Sequence, residues 1–145
     1  MKEKILIVDD EEPIRKILRG FLVEQGYHVI LASHGHEAIQ LAETESPDLI
    51  ILDIRMPKLD GIATCVKLRS QERTGAIPII AATAFRDVVG EAADAGADDI
   101  VIKPFHLAEL LRRVRAMLRV RHVKEDAARV AAYVRELKAS LPPGE

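Results

Sequence analysis

At 145 residues and 16.1 kDa, the chain has room for one domain with its own core plus an appendage, not for two full domains. A composition that is 48% hydrophobic, 30% charged and 3% aromatic excludes disordered and disulfide-built classes and predicts an aliphatic core. Lys plus Arg total 21 against 23 Asp plus Glu, a net charge of −2 that gives no ground for direct binding to nucleic acid or an anionic membrane, and no apolar run approaches the ~20 residues that span a bilayer.

Residues 4–8 (KILIV) form an unbroken aliphatic run without alternation, as expected of a strand covered on both faces, and they end at Asp9-Asp10. Met1-Lys2-Glu3-Lys4 leads straight into that strand rather than into a signal-peptide segment, so a cytoplasmic location is expected. Over 12–25, Ile14, Ile17, Leu18, Phe21 and Leu22 recur at helical spacing, with Pro13 in the first turn and Gly26 as the stop. A short strand is expected at 28–32. His34 and His36 follow it in a Gly-bearing loop and are read as solvated, since no carboxylate motif accompanies them. A helix over 35–44 precedes the run at 49–52, which ends at Asp53.

Asp60-Gly61 opens a helix over 60–72, in which Cys65, among Ile62, Val66 and Leu68, is a packing residue with no disulfide partner. The run at 77–82 ends at Thr83, a helix over 86–95 closes at Gly96, and the run at 99–102 ends at Lys103-Pro104. The order βαβαβαβαβα predicts, through right-handed crossovers, a doubly wound α/β fold with a parallel sheet. In such sheets ligands bind outside the carboxyl ends of the strands, where Asp9, Asp10, Asp53, Thr83 and Lys103 all fall. Converging there, acids and a lysine would hold a divalent cation and a phosphoryl group.

From Phe105 to Leu141 there is neither Gly nor Pro, and Leu107, Leu110, Leu111, Val114 and Leu118 give the first part a core stripe. A second series, Ala116, Val120, Val123, Ala127, Val130, Val134, Leu137 and Leu141, has heptad spacing and predicts a C-terminal helix extended into a coiled coil that would make a homodimer. At ~100° per residue the two stripes lie on opposite sides of a continuous helix. The alternative is a bend near His122 that folds the tail back onto the domain. Either way the chain divides into residues 1–121 and an extension over 122–145, which ends in Pro142-Pro143-Gly144-Glu145 and is either a dimerisation segment or a linker to an output domain.

The motifs ILIVDDEEPIR, LIILDIRMPKLDG, ATAF, GADD and IVIKPF, in this order and spacing, closely resemble the receiver domain of two-component response regulators from Met1 to about Arg121. The resemblance implies a flavodoxin-like (βα)5 fold with strand order 2-1-3-4-5. It implies that Asp53 is the phosphoacceptor, and that Asp10, Asp53 and the backbone carbonyl of Arg55 bind Mg²⁺, with Asp9 contributing through water. It further implies that Lys103, aimed by a cis Lys-Pro peptide, meets a phosphoryl oxygen and that the Thr83 hydroxyl moves to the phosphoryl group. Met56-Pro57 and Asp60-Gly61 would shape the loop beyond the acceptor. The physical logic agrees: three carboxylates repel one another, a divalent cation reverses that penalty, and Mg²⁺ suits all-oxygen ligands. For Asp9-Asp10 the plainer reading is capping of the next helix, which needs only one acid.

Three positions depart from the family's commoner pattern. Ile100 stands where most receivers carry Tyr or Phe, the ring that swings inward with Thr83, so coupling by that route changes. Arg55 and Phe85, two residues after Asp53 and Thr83, flank the phosphoryl position, and a bulky Phe85 predicts slow hydrolysis.

The resemblance makes the chain a phosphorylation switch rather than an enzyme, with a histidine kinase or phosphotransfer protein as partner and Mg²⁺ as cofactor. Two rivals share its architecture. A haloacid-dehalogenase-like phosphatase needs a second acid two residues after its nucleophile, where this chain has Arg55 after Asp53 or Glu11 after Asp9. A flavodoxin-type nucleotide binder needs hydroxyls and glycines where this chain has DDEE. The tail AAYVRELKASLPP faintly resembles the linker of regulators joined to a PP2C-type phosphatase, which would make the chain a fragment of a larger protein.

Overall fold

The computed structural model describes residues 2–55, 60–123 and 125–141, so Met56-Pro57 and the Pro142–Glu145 end lie outside the described residues. Two compact units divide between Phe105 and His106.

The first unit carries a five-stranded parallel sheet of β1 (Lys4–Val8), β2 (His28–Ala32), β3 (Leu49–Asp53), β4 (Ile79–Thr83) and β5 (Asp99–Ile102), in the order β2-β1-β3-β4-β5. The expected fold class and strand order are therefore present. Between the strands run α1 (Glu12–Glu24), α2 (Gly35–Glu45), α3 (Gly61–Ser70) and α4 (Val89–Asp94), the last entered through a 3-10 turn at Arg86–Val88. Side chains alternate across the sheet, so Leu6, Val8, Ile50, Leu52 and Ile79 meet Ala38 and Ala42 of α2 and Cys65 and Leu68 of α3 in one buried cluster. α1 packs on β1 and β2 and buries Leu18 and Leu22. With both faces covered, β3 and β4 are buried at every residue, which is why their sequences read as continuous apolar runs.

Local chemistry sets the helix ends. Gly26 and Gly96 adopt φ of +98° and +108°, where a side chain would be strained, and they end α1 and α4. His34 is not a solvated loop residue. It is partly buried, and its Nδ1 caps α2 by accepting from Glu37 N at 3.3 Å, while the Glu37 carboxylate accepts from the N–H of Ser33, the residue before the cap, at 2.7 Å. Cys65 is buried as expected, its thiol 3.3 Å from the Ala95 carbonyl oxygen and pushed up in pKa by burial.

The second unit holds α5 (Leu107–Val120) and α6 (Asp126–Ala139). The extension is helical, but the continuous heptad helix does not form. Val123 N–H turns back to the Val120 carbonyl at 3.0 Å, and Glu125 restarts a helix by accepting from Ala127 N and Ala128 N at 3.0 and 2.8 Å. An acidic pair, Glu125-Asp126, suits a helix N-terminus and specifies the restart. α6 then lies against α5, with Arg112 Nη1 donating to the Leu137 carbonyl at 2.6 Å and Arg119 facing Glu136 at 3.3 Å. The expected seam is thereby split: Val120 is buried and Val123 and Leu137 are half-buried, whereas Ala127, Val130 and Val134 are exposed.

Candidate active site

Register builds the site. Val8 pairs with Leu52, so Asp9 and Asp53 emerge side by side from the two central strands, while Asp53 pairs with Ala82, and Thr83 with Ile102 next to Lys103. Four of the five chemical residues therefore reach the same sheet edge by strand pairing. The fifth, Asp10, follows in the β1–α1 turn.

Asp9 and Asp53 are buried at 3% and 6% exposure, whereas Asp10 is exposed. One carboxylate oxygen from each of the three lies within 4.8 Å of the others. Lys103 Nζ donates to Asp9 Oδ2 at 3.1 Å and lies 3.7 Å from Asp53 Oδ1, bridging the two buried acids. The Lys103–Pro104 peptide is cis, as the motif implied. Lys103 N–H donates to the Thr83 carbonyl at 2.8 Å, holding the lysine's backbone to the end of β4.

Electrostatics set the charge states. Burial is the largest influence on Asp53 and pushes its pKa up to about 6; Asp9 and Asp10 push the same way, while Lys103 and the Arg55 N–H, 3.3 Å from Asp53 Oδ1, oppose them. Burial works against the Lys103 ammonium, but Asp53 and Asp9 outweigh it and leave the lysine raised and charged. A dense negative pocket with one ammonium thus stands ready for a hard cation. Its donors are all oxygens, which fits Mg²⁺.

Thr83 is fully buried and its hydroxyl oxygen accepts from Phe85 N at 3.0 Å. Ile100 is half-buried against the cluster of Ile54, Ala81, Val88 and Ala92. Two residues after Asp53, the Arg55 guanidinium stacks over the Phe85 ring at 4.2 Å from its centroid, and Phe85 is 45% exposed. Sequence reasoning named both residues but not their pairing, because no spacing rule links the ends of two different strands. It also missed Arg15, whose Nη1 donates to the Asp9 carbonyl at 2.7 Å.

A buried aspartate flanked by two further acids and a lysine, at the carboxyl edge of a 2-1-3-4-5 sheet, defines a class of α/β domain built to accept phosphate on a side chain. The chain belongs to the response regulator receiver domain family, which matches residues 5–115. It is 46% identical over 147 residues to the response regulator MprA of Mycolicibacterium vanbaalenii, covering 99% of this chain and 62% of that protein. To the alkaline phosphatase synthesis transcriptional regulatory protein PhoP of Bacillus subtilis it is 50% identical over 123 residues, covering 82% of this chain and 50% of that one. The chain thus spans about half of the length of such curated relatives. Among solved structures, the receiver domain of sensor histidine kinase PA1611 from Pseudomonas aeruginosa, with a magnesium ion coordinated in its active site cleft, superposes with a TM-score of 0.76 at 33% identity, covering 81% of this chain and 98% of that one.

Proposed function

We propose that the chain is a phosphoacceptor switch in which Asp53 takes a phosphoryl group from the phosphohistidine of a partner histidine kinase or phosphotransfer protein. The observation that carries this reading is Lys103 Nζ bridging Asp9 and Asp53 at 3.1 and 3.7 Å beside a third acid. A carboxylate oxygen of Asp53 forms the new P–O bond as the donor's P–N bond breaks, and the electron pair of that bond returns to the donor imidazole. Lys103 then leaves its two carboxylates for a phosphoryl oxygen, where its ammonium offsets the developing charge. Thr83 releases the Phe85 amide and turns its hydroxyl to the same group, which couples the new charge to the β4–α4 segment.

Asp9, Asp10, Asp53 and the Arg55 carbonyl are the groups that would hold Mg²⁺, whose charge, when bound, offsets the repulsion among the carboxylates and the incoming phosphoryl oxygens. The coordinated magnesium in the related PA1611 receiver supports this assignment. Catalytic turnover of an outside substrate is not part of the reading, because Arg55, in the place where a phosphatase needs its second acid, has no proton to give at neutral pH. The relatives over this length are response regulators, which likewise favours the switch over a PP2C-linked tail. Output is proposed to pass by protein contact in the cytoplasm, without direct contact with nucleic acid.

Incubation with acetyl phosphate and Mg²⁺ tests the proposal. A stoichiometric, acid-stable and base-labile adduct that Asp53→Ala abolishes is expected. Continuous release of phosphate in many-fold excess over protein would mean a hydrolase instead.

A further inference from the structure

Asp10 is the one acid of the cluster that the fold does not hold by its side chain. Asp9 has every polar atom engaged: its N–H donates to the Ala32 carbonyl at 3.2 Å, Oδ1 accepts from Glu11 N at 2.9 Å, and Oδ2 accepts from Lys103 at 3.1 Å. Its carbonyl oxygen accepts from Arg15 Nη1 at 2.7 Å. Asp53 is fixed by β3 and by the Arg55 N–H at 3.3 Å. The Asp10 carboxylate, by contrast, is exposed and has no hydrogen-bond partner among the described residues. What the fold fixes of Asp10 is therefore the backbone from which its side chain departs, and that backbone begins with the peptide plane joining Asp9 to Asp10.

The carbonyl of that plane is held by Arg15, and we infer that Arg15 is a positioning residue that aims Asp10 into the cation site. Arg15 lies in the first turns of α1, its N–H bonded to the Glu11 carbonyl at 3.1 Å, so a rigid helix delivers the guanidinium. A charged donor on a neutral carbonyl makes a strong, directional hydrogen bond, and holding that peptide plane places the Asp10 N and Cα from which its side chain departs. The inference rests on the proposed magnesium site. It assigns Arg15 no contact with the ion or with phosphate; the residue acts only through the Asp9–Asp10 peptide.

Charge alone predicts the opposite effect, which makes the idea separable from screening. Removing a cation from beside three carboxylates should tighten binding of Mg²⁺, whereas loss of the aim should weaken it.

The experiment follows the backbone amides of the cluster by two-dimensional NMR as MgCl₂ is added to wild type, Arg15→Met and Arg15→Lys. The Met variant is expected to bind about tenfold more weakly, the scale on which supporting residues act at metal sites. The Lys variant, which keeps the charge but lacks the fork, is expected to fall between, about threefold weaker than wild type. Spectra away from the β1–α1 turn should superpose. The initial rate of acetyl phosphate labelling should fall in Arg15→Met at limiting Mg²⁺ and return to the wild-type value at saturation. Wild-type or tighter affinity in Arg15→Met overturns the inference; if that variant does not fold, an Arg15→Lys midpoint equal to wild type does so. A wild type that gives no saturable response would instead bring down the magnesium site itself.

Discussion

Asp53 carries a charge that its surroundings resist until a cation or a phosphoryl group arrives. Its pKa of about 6, against an ordinary 3.8, means that in metal-free protein the folded state binds more protons than the unfolded state between about pH 4 and 6. Stability contributed by the protonated acid is thus present below that window, is lost as pH rises through it, and stays lost above it. Asp53→Asn should remove this loss. In EDTA at pH 7.5 the variant is expected to be about 1–2 kcal/mol more stable than wild type by urea unfolding, with the difference vanishing near pH 4. A variant less stable than wild type at pH 7.5 would contradict the burial argument. Phe85 supports a second expectation at this scale. We propose that its exposed ring, held by Arg55 at 4.2 Å, hinders an in-line water at Asp53, so Phe85→Ala should shorten the phosphoryl lifetime several-fold. Equal lifetimes, measured by decay of the adduct after the donor is removed, would separate the pair from hydrolysis.

Between elements, the site depends on how closely α3 approaches the end of β3. A Cβ on Gly61 would collide with the Asp53 carbonyl oxygen and the Ile54 Cα, and Gly61 N–H donates to the Ile54 carbonyl at 2.9 Å. Those are backbone atoms that cannot swing aside. Gly61→Ala is therefore expected to cost about 2–3 kcal/mol in thermal or urea unfolding and to slow acceptor labelling, because relief must come from moving the strand that carries Asp53. The extension gives the other test at this scale. With α6 laid against α5, Val130 and Val134 at 61% and 42% exposure leave a narrower apolar stripe than a heptad seam. We propose that any homodimer uses this stripe. Sedimentation of the whole chain against one ending at Arg121 should then show a heavier particle only for the whole chain, and equal monomeric masses would remove the dimer. The heptad and the alternative of a bend near His122 were both legible in the sequence; which of them holds was not, because periodicity reports which residues could share a face and not whether the helix persists. The signal lay in Glu125-Asp126, an N-terminal cap inside the apparent repeat.

Across the whole molecule, the strand ends were the most legible part. The central runs are buried on both faces, so a polar residue closing one marks the sheet's edge, and parallel pairing brings those edges together with the ends of the flanking strands. Asp9, Asp53, Thr83 and Lys103 needed no more than that. The Arg55–Phe85 stack and the Arg15 contact are side-chain encounters across turns, which no one-dimensional pattern encodes. No helix among the described residues is long and apolar enough to cross a membrane. The central proposal is that one carboxylate, that of Asp53, acts as a reversible phosphate carrier. Peptide-resolved mass spectrometry of the whole chain, labelled by acetyl phosphate with Mg²⁺ or with EDTA, puts that to the test. One phosphoryl group on Asp53, present with Mg²⁺ and lost with EDTA, is the predicted result; a modification at any other residue, or one indifferent to EDTA, would contradict it.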